Sequence, residues 1–217
     1  MRRINTKTMR KHLILLCLLL AGQLTAFGQS AREILDQTAA RLTASGDVKA
    51  QFKATQFKGT TPEGEASGTM LLSGRKYKMV TDEMTTWYDG STQWNMMKGS
   101  DEVNVSTPTE EEQAAMNPAT LIGIYKKGYK YASKKSTLRG KPTFIVYLKA
   151  KSKKAAFSEI YVDVEQGTYT PLCLRAKKDG DWLRLSILSF QNRLSLPAST
   201  FTFPQKDYPN VEVIDLR

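Results

Sequence analysis

Between Gly68 and Val105 short apolar-rich runs alternate with turn residues. Segments 68–73, 77–82, 84–88, 91–97 and 102–107 each have the length of a strand. Ser73-Gly74, Asp82-Glu83, Asp89-Gly90 and Lys98-Gly99-Ser100-Asp101 separate them. The spacing predicts an antiparallel meander. Asp89-Gly90 reads as a type I′ hairpin, because both residues tolerate φ > 0. Large apolar side chains fall on both parities: Met70 and Leu72 against Leu71, Met79 against Val80, Trp87 against Tyr88. A sheet with one solvated face alternates more cleanly. The pattern therefore predicts a meander covered on one side and facing an apolar hollow on the other. A hollow suits holding a ligand better than transforming one.

The flanking segments extend this reading. Ser30-Ala31-Arg32-Glu33 is a capping box, and a helix follows to about Thr43 with Ile34, Leu35, Thr38, Ala39 and Leu42 on one face. Gly46 stops it. A long, rather polar first strand covers 48–57, and 59–64 reads as a flexible turn. A short acidic helix is predicted over 108–116, its Glu110, Glu111 and Glu112 suiting the N-terminal dipole. Asn117-Pro118 breaks it, and a second helix over 118–127 carries Leu121, Ile122, Ile124 and Tyr125 until Gly128. Strands follow over 129–138, 143–150, 157–165, 168–177, 182–190, 200–204 and 211–215. Eleven or twelve strands with three helices imply a mainly β (α+β) fold with a single antiparallel sheet, long enough to curl or close.

The N-terminus departs from this pattern. Arg2, Arg3, Lys7, Arg10 and Lys11 precede an apolar run over 13–20, too short for the roughly 20 residues of a membrane-spanning helix. Ala26-Phe27-Gly28 supplies small residues for cleavage before Gln29. Residues 1–28 are thus expected to be a removable signal peptide, and 29–217 a single domain. Cys17 lies inside the apolar run behind Leu16, an unsuitable place for lipidation. The net charge of +11 contains five of these basic residues; without them 27 Lys+Arg face 21 Asp+Glu, leaving +6.

Export also removes His12, the only histidine. The remaining chain cannot build Ser-His-Asp, Cys-His or histidine-metal sites, so neither an enzyme nor a cofactor is expected. Cys173, in Pro171-Leu172-Cys173-Leu174-Arg175, reads as a buried thiol, and one cysteine forms no internal disulfide. Asp101-Glu102 and Glu110-Glu111-Glu112 read as solvated charges, and Asp179-Gly180-Asp181 as a hairpin turn. Lys126, Lys127, Lys130, Lys134, Lys135, Arg139, Lys141, Lys149, Lys151, Lys153 and Lys154 form a basic stretch interleaved with Tyr125, Tyr129, Tyr131, Phe144 and Tyr147. A strand edge protected by lysines explains it, as does transient docking to an anionic membrane or acidic partner. Nucleic acid is a poor fit for an exported chain. Met79, Trp87, Trp94, Met96, Met97 and Met116 suit either a packed core or a cavity for flexible apolar ligands.

Three motifs in the meander carry a resemblance. They are Gly68-Thr69-Met70-Leu71-Leu72, Arg75-Lys76-Tyr77-Lys78-Met79 and Tyr88-Asp89-Gly90-Ser91-Thr92-Gln93-Trp94. Together they resemble the periplasmic outer-membrane lipoprotein carrier family, LolA. Ala50-Gln51-Phe52 with Gln56, Asn117-Pro118 before Leu121-Ile122, and the run from Asp163 to Asp181 with Leu185-Ser186-Ile187 and Phe201-Thr202-Phe203 extend the likeness over most of the chain. Lys76 follows Arg75 where the family has a proline. The resemblance implies an incomplete barrel with helices packed in its concave side as a lid. It also implies a lipid-binding cavity lined by Tyr77, Met79, Trp87, Trp94, Met96, Leu121, Ile122 and Tyr125, and an Arg75 latch that holds the lid when the cavity is empty. The implied function is a monomeric periplasmic carrier that shields lipoprotein acyl chains and delivers them to the outer membrane. Its partners would be acylated lipoproteins or lipids, an inner-membrane release complex and an outer-membrane acceptor. Carriage or sensing of another lipid or glycolipid, or a non-binding structural role in the envelope, fits the same residues.

Overall fold

The structure, a computed structural model, describes residues 29–43, 46–110, 112–113, 126 and 128–217. Helix α1, Ala31–Thr43, begins at the expected capping box. The Ser30 amide donates to Glu33 Oε2 (2.9 Å), and the Glu33 amide donates to Ser30 Oγ (3.2 Å). Ile34, Leu35, Thr38 and Leu42 are buried, and the Thr38 hydroxyl donates to the Ile34 carbonyl at 2.7 Å, so its burial leaves no orphaned group.

Among the described residues, twelve strands form one curled, unclosed sheet. In chain order they are β1 (Asp47–Lys58), β2 (Thr61–Ser73), β3 (Lys76–Thr81), β4 (Met84–Tyr88), β5 (Gln93–Met97), β6 (Glu102–Ser106), β7 (Tyr129–Leu138), β8 (Lys141–Ala150), β9 (Glu159–Glu165), β10 (Pro171–Lys178), β11 (Asp181–Leu194) and β12 (Glu212–Asp215). Across the sheet the order is β12-β6-β5-β4-β3-β2-β1-β11-β10-β9-β8-β7. Two meanders meet where β1 pairs with β11. β12 runs parallel to β6, so the sheet is mixed where a purely antiparallel one was expected.

Local chemistry accounts for the other departures. Asp89-Gly90 is not a two-residue turn: Tyr88 pairs with Gln93 across a four-residue loop. Only Gly90 has positive φ there (106°), and Asp89 Oδ1 accepts from the amides of both Ser91 and Thr92, replacing the backbone of a tight turn. The two-residue turns with positive φ at both positions are Arg139-Gly140 and Asp179-Gly180. The expected turn over 59–64 shrinks to Gly59-Thr60, because β2 starts at Thr61 and pairs with β1 along its polar end. Residues 200–204 are not a strand: Ala198–Phe201 forms a 3-10 turn after Pro197, and Gln205–Asp207 forms another after Pro204, each following a residue without an amide donor. The predicted helix at 108–116 is helical at Glu110, Glu112 and Gln113, whereas that at 118–127 lies outside the described residues apart from Lys126.

Three apolar clusters divide the two faces of the sheet. On the inner face, α1 packs Ile34, Leu35 and Leu42 against Val146, Leu148, Ile160, Val162 and Leu174 of β8–β10. Also on that face, Val48, Phe52, Met70, Leu72, Tyr77 and Tyr88 of β1–β4 pack together. The Tyr77 ring lies 5.0 Å from that of Tyr88, and its hydroxyl donates to Gln93 Oε1 at 2.6 Å. On the outer face, Trp87 and Val103 pack with Phe203, which stacks on Tyr208.

This packing sets two expectations for stability. A Cβ on Gly68 would lie 2.2 Å from the Val80 carbonyl oxygen and 3.1 Å from the Phe52 ring, whereas one on Gly64 meets nothing within 4 Å. Gly68→Ala should therefore cost about 1–3 kcal/mol by overpacking, and Gly64→Ala should be neutral or slightly stabilising, as read from urea midpoints. Burial pushes the Tyr77 phenol well above its usual range, with Tyr88 and the Glu112 carboxylate adding to the effect. A raised folded pKa means that stability is full below the free phenol's value of about 10 and is lost as pH rises above it. Tyr77→Phe should cost about 1 kcal/mol at neutral pH through the lost hydrogen bond. In alkaline unfolding series its stability should fall less steeply than that of the wild type.

Candidate functional site

The inner face is covered unequally. Among the described residues, helix α1 shields β8–β10, its cover ends near Leu174 and Ala176, and an apolar cavity of about 320 Å³ begins there. Its floor crosses Leu183 and Leu185 of β11, Phe52 and Ala54 of β1, Ala66 and Met70 of β2, and Met79 of β3. Met84 and Met97, cross-strand partners, close its far side, with Thr81 and Glu83 at the rim. Alternation explains the lining: each of these floor residues occupies the inward parity of its strand, so the registers bring them into adjoining rows. A second, more polar cavity of about 600 Å³ shares Ala176 and Leu183 with the first. Gln56, Thr109, Glu112, Phe157, Asp179, Asp181 and Trp182 surround it at the sheet end that carries the β10–β11 turn.

One helical turn borders this opening. The Thr109 amide and hydroxyl donate to Glu112 Oε2 (2.7 and 2.9 Å), the Glu112 amide donates to Thr109 Oγ1 (3.2 Å), and the Gln113 amide donates to the Thr109 carbonyl (3.0 Å). The two bonds donated by Thr109 hold the Glu112 carboxyl below its ordinary range. Gln113 Nε2 donates to the Pro108 carbonyl at 3.0 Å, which turns Oε1 outward. Arg75, in the two-residue turn between β2 and β3, donates from Nη2 to that Oε1 at 3.1 Å. The turn at the end of one hairpin is thereby tied to the acidic segment.

The structure separates the expected site residues into two groups. Met79 lines the cavity, and Tyr77 is fully buried in the adjoining cluster on the same face. Trp87, Trp94 and Met96 are on the opposite face. Trp87 pairs with Lys78, the neighbour of Tyr77 and Met79, and Trp94 pairs with Trp87. A one-residue step reverses the side-chain direction, so these three pack under Phe203, Tyr208 and Val211 as an outer core. Leu121, Ile122 and Tyr125 lie outside the described residues. Phe52, Met70, Met84, Leu174, Leu183 and Leu185 line the cavity without having been singled out. Period-two counting within β1, β2 and β11 would have found several of them, but only the observed registers show which rows adjoin.

The remaining candidates resolve into structural parts. Cys173 is buried, and burial raises its thiol pKa. Arg139 turns inward from the basic stretch and donates from Nη2 to the carbonyls of Leu172 (2.9 Å) and Ile187 (2.8 Å), where the β10–β11 ladder has ended. Lys141 pairs with Glu165 at 2.8 Å, while Lys130, Lys134 and Lys135 are exposed on the edge strand β7. Among the described residues no group of three or more potential ligands is placed to hold a metal.

The structure is similar to that of an uncharacterized conserved protein from Thermus thermophilus, with a TM-score of 0.58 and 13% identity, covering 85% of this chain and 98% of that one. At that identity the likeness concerns the fold. A LolA superfamily protein from Nitrosomonas europaea matches with a TM-score of 0.43 and 10% identity, over 81% of this chain and 99% of that one. Lipoprotein LppX from Mycobacterium tuberculosis matches with a TM-score of 0.44 and 12% identity, over 76% and 99%. Comparison with curated proteins found no sequence match. The family model described as outer membrane lipoprotein carrier protein LolA matches residues 23–180, and the chain belongs to that family.

Proposed function

We propose that this protein is a periplasmic carrier that takes acyl chains of a lipoprotein into the inner-face cavity and delivers them to the outer membrane. The observation that carries this reading is the methionine-rimmed apolar cavity left open beside α1. Its volume of about 320 Å³ falls at the lower end of the usual range for ligand pockets. Met70, Met79, Met84 and Met97 are unbranched and can repack around chains of differing length. In this reading residues 1–28 are the export signal, 29–217 the carrier domain, and the working form a monomer that meets membranes only in transit. An inner-membrane release complex loads it and an outer-membrane acceptor unloads it.

The energetics require a partial hold. Moving a CH₂ out of water is worth roughly 0.8 kcal/mol, so complete burial of a ~16-carbon chain is worth of order 12 kcal/mol. Several chains held that tightly would not leave. A carrier must give part of this energy back on loading, and the segment tied down by Arg75 supplies a means. Displacing it would break the Arg75–Gln113 bond and expose apolar surface, which lowers net affinity and keeps the cargo transferable. Tyr77 anchors the cavity wall, and Leu121, Ile122 and Tyr125 are assigned to the lining of the lipid-binding cavity.

Native mass spectrometry of the protein isolated from the periplasm should show an acylated polypeptide bound. Free lipid alone would reassign the cargo to a lipid or glycolipid, and an empty protein in every preparation would count against carriage. A fluorescent fatty-acid analogue should bind saturably, and Met79→Trp, which fills the cavity, should weaken it at least about tenfold, or 1.4 kcal/mol. Unchanged affinity would remove this cavity from the binding site.

The latch gives a separate prediction. Arg75 is exposed, so its bond to Gln113 is worth about 0.5–1.5 kcal/mol. Arg75→Leu should favour the open, loaded state and slow cargo transfer to acceptor vesicles about two- to tenfold. Gln113→Ala should slow transfer similarly, and the double variant should be no slower than either single one. Transfer at the wild-type rate in Arg75→Leu would leave the bond without a gating role.

A further inference from the structure

The outer face of the sheet carries a pocket of its own, facing away from the apolar cavity. It measures about 260 Å³ and is lined by Phe57, Gly59, Thr60, Arg175, Trp182 and Arg184. Its layout follows from the registers. Arg175 of β10 and Arg184 of β11 are direct cross-strand partners, and Trp182 and Phe57 are partners two residues nearer the β1–β2 turn. Two guanidinium groups thus lie beside two aromatic rings, with the Gly59-Thr60 turn at the rim. Like charges placed directly opposite are unfavourable in an antiparallel pair. The surroundings do not fully answer them.

Among the described residues, the charges around the pocket leave one guanidinium without a carboxylate of its own. Arg175 donates from Nη2 to Asp163 Oδ2 at 3.1 Å and lies over the Tyr161 ring. Lys177 pairs with Glu159 and Lys53 with Glu65. Arg184 lies 4.9 Å from the Phe57 ring centroid and donates from Nη2 to the Thr55 hydroxyl, at 3.3 Å. The Glu65 carboxylate senses Arg184 but is held by Lys53 at 2.8 Å. The Nε groups of both arginines are enclosed with no acceptor. Guanidinium forks match the planar spacing of oxyanions.

We propose that this outer pocket binds a small organic oxyanion, a carboxylate or phosphate carried on a ring. The oxyanion would occupy the Arg175–Arg184 pair and the ring would lie against Trp182 and Phe57. A bare phosphate leaves most of the 260 Å³ unfilled and the aromatic walls unused, which is why the ligand carries a ring. The pocket faces away from the acyl cavity, so its occupancy is separable from cargo binding.

Calorimetric titration of the full protein with phenyl phosphate, benzoate, inorganic phosphate and benzyl alcohol tests this. Phenyl phosphate or benzoate should bind saturably, and more tightly than inorganic phosphate or benzyl alcohol. The tighter of the two anions identifies the oxyanion. Arg184→Gln, which can still reach Thr55, should weaken that binding at least tenfold while leaving fatty-acid binding and thermal stability near wild type. Arg184→Lys should also weaken it, because charge without the fork is insufficient. Absence of saturable binding of either ring-borne anion by the wild type overturns the proposal. So does wild-type affinity in both Arg184→Gln and Arg175→Gln, or inorganic phosphate binding as tightly as phenyl phosphate.

Discussion

Every side chain in a strand has a choice of two directions, and in a single unclosed sheet both directions need cover. This constraint organises the protein. The inner face is covered by α1 over β8–β10 and by its own side chains over β1–β4. Part of the outer face is covered by the segment carrying Phe203, Tyr208 and Val211, which returns across β4–β6 before β12 pairs with β6. Between α1 and β4, the apolar floor of the inner face remains open. The cavity is thus the part of a two-sided apolar sheet that no element covers among the described residues.

The shape of that opening sets what it can do. Its floor combines unbranched, adaptable methionines with small residues such as Ala54, Ala66 and Ala176, so the surface is apolar and uneven without being filled. Gly68 holds β2 and β3 close behind it, since any side chain there would strike the Val80 carbonyl. At the mouth, polar groups replace apolar ones, and a capped helical turn is joined to Arg75 by an exposed hydrogen bond to Gln113.

The outer face shows the opposite solution. There the strands β8–β11 and β1 carry rows of Tyr147, Tyr161, Arg175 and Arg184, with Lys177 over Trp182 and Arg184 over Phe57. Cation–π contacts and ion pairs place charge on this face while keeping its aromatic residues packed. Asp163, buried beside Arg175, has its carboxyl raised by desolvation against the pull of that guanidinium. The two faces therefore differ in polarity although they share one backbone, and each pocket takes its character from the parity on which it lies.

The mainly β class of fold and most of its elements were legible in the sequence alone. The capping box at Ser30, the apolar face of α1, the Gly-containing turns at Arg139-Gly140 and Asp179-Gly180, and the strand runs of the meander are local features, and local chemistry is enough to read them. Tertiary structure decided which apolar residues meet. Trp87 and Trp94 share motifs with Tyr77 and Met79, yet the hairpin registers turn them to the other face, where Phe203 arrives from far along the chain. The pairing of β1 with β11 is likewise non-local, and it alone brings Leu183 and Leu185 beside Phe52 and Ala54 to make the cavity floor. A period of two records that a strand has two faces; only the assembled sheet and its covers decide which face encloses the hollow.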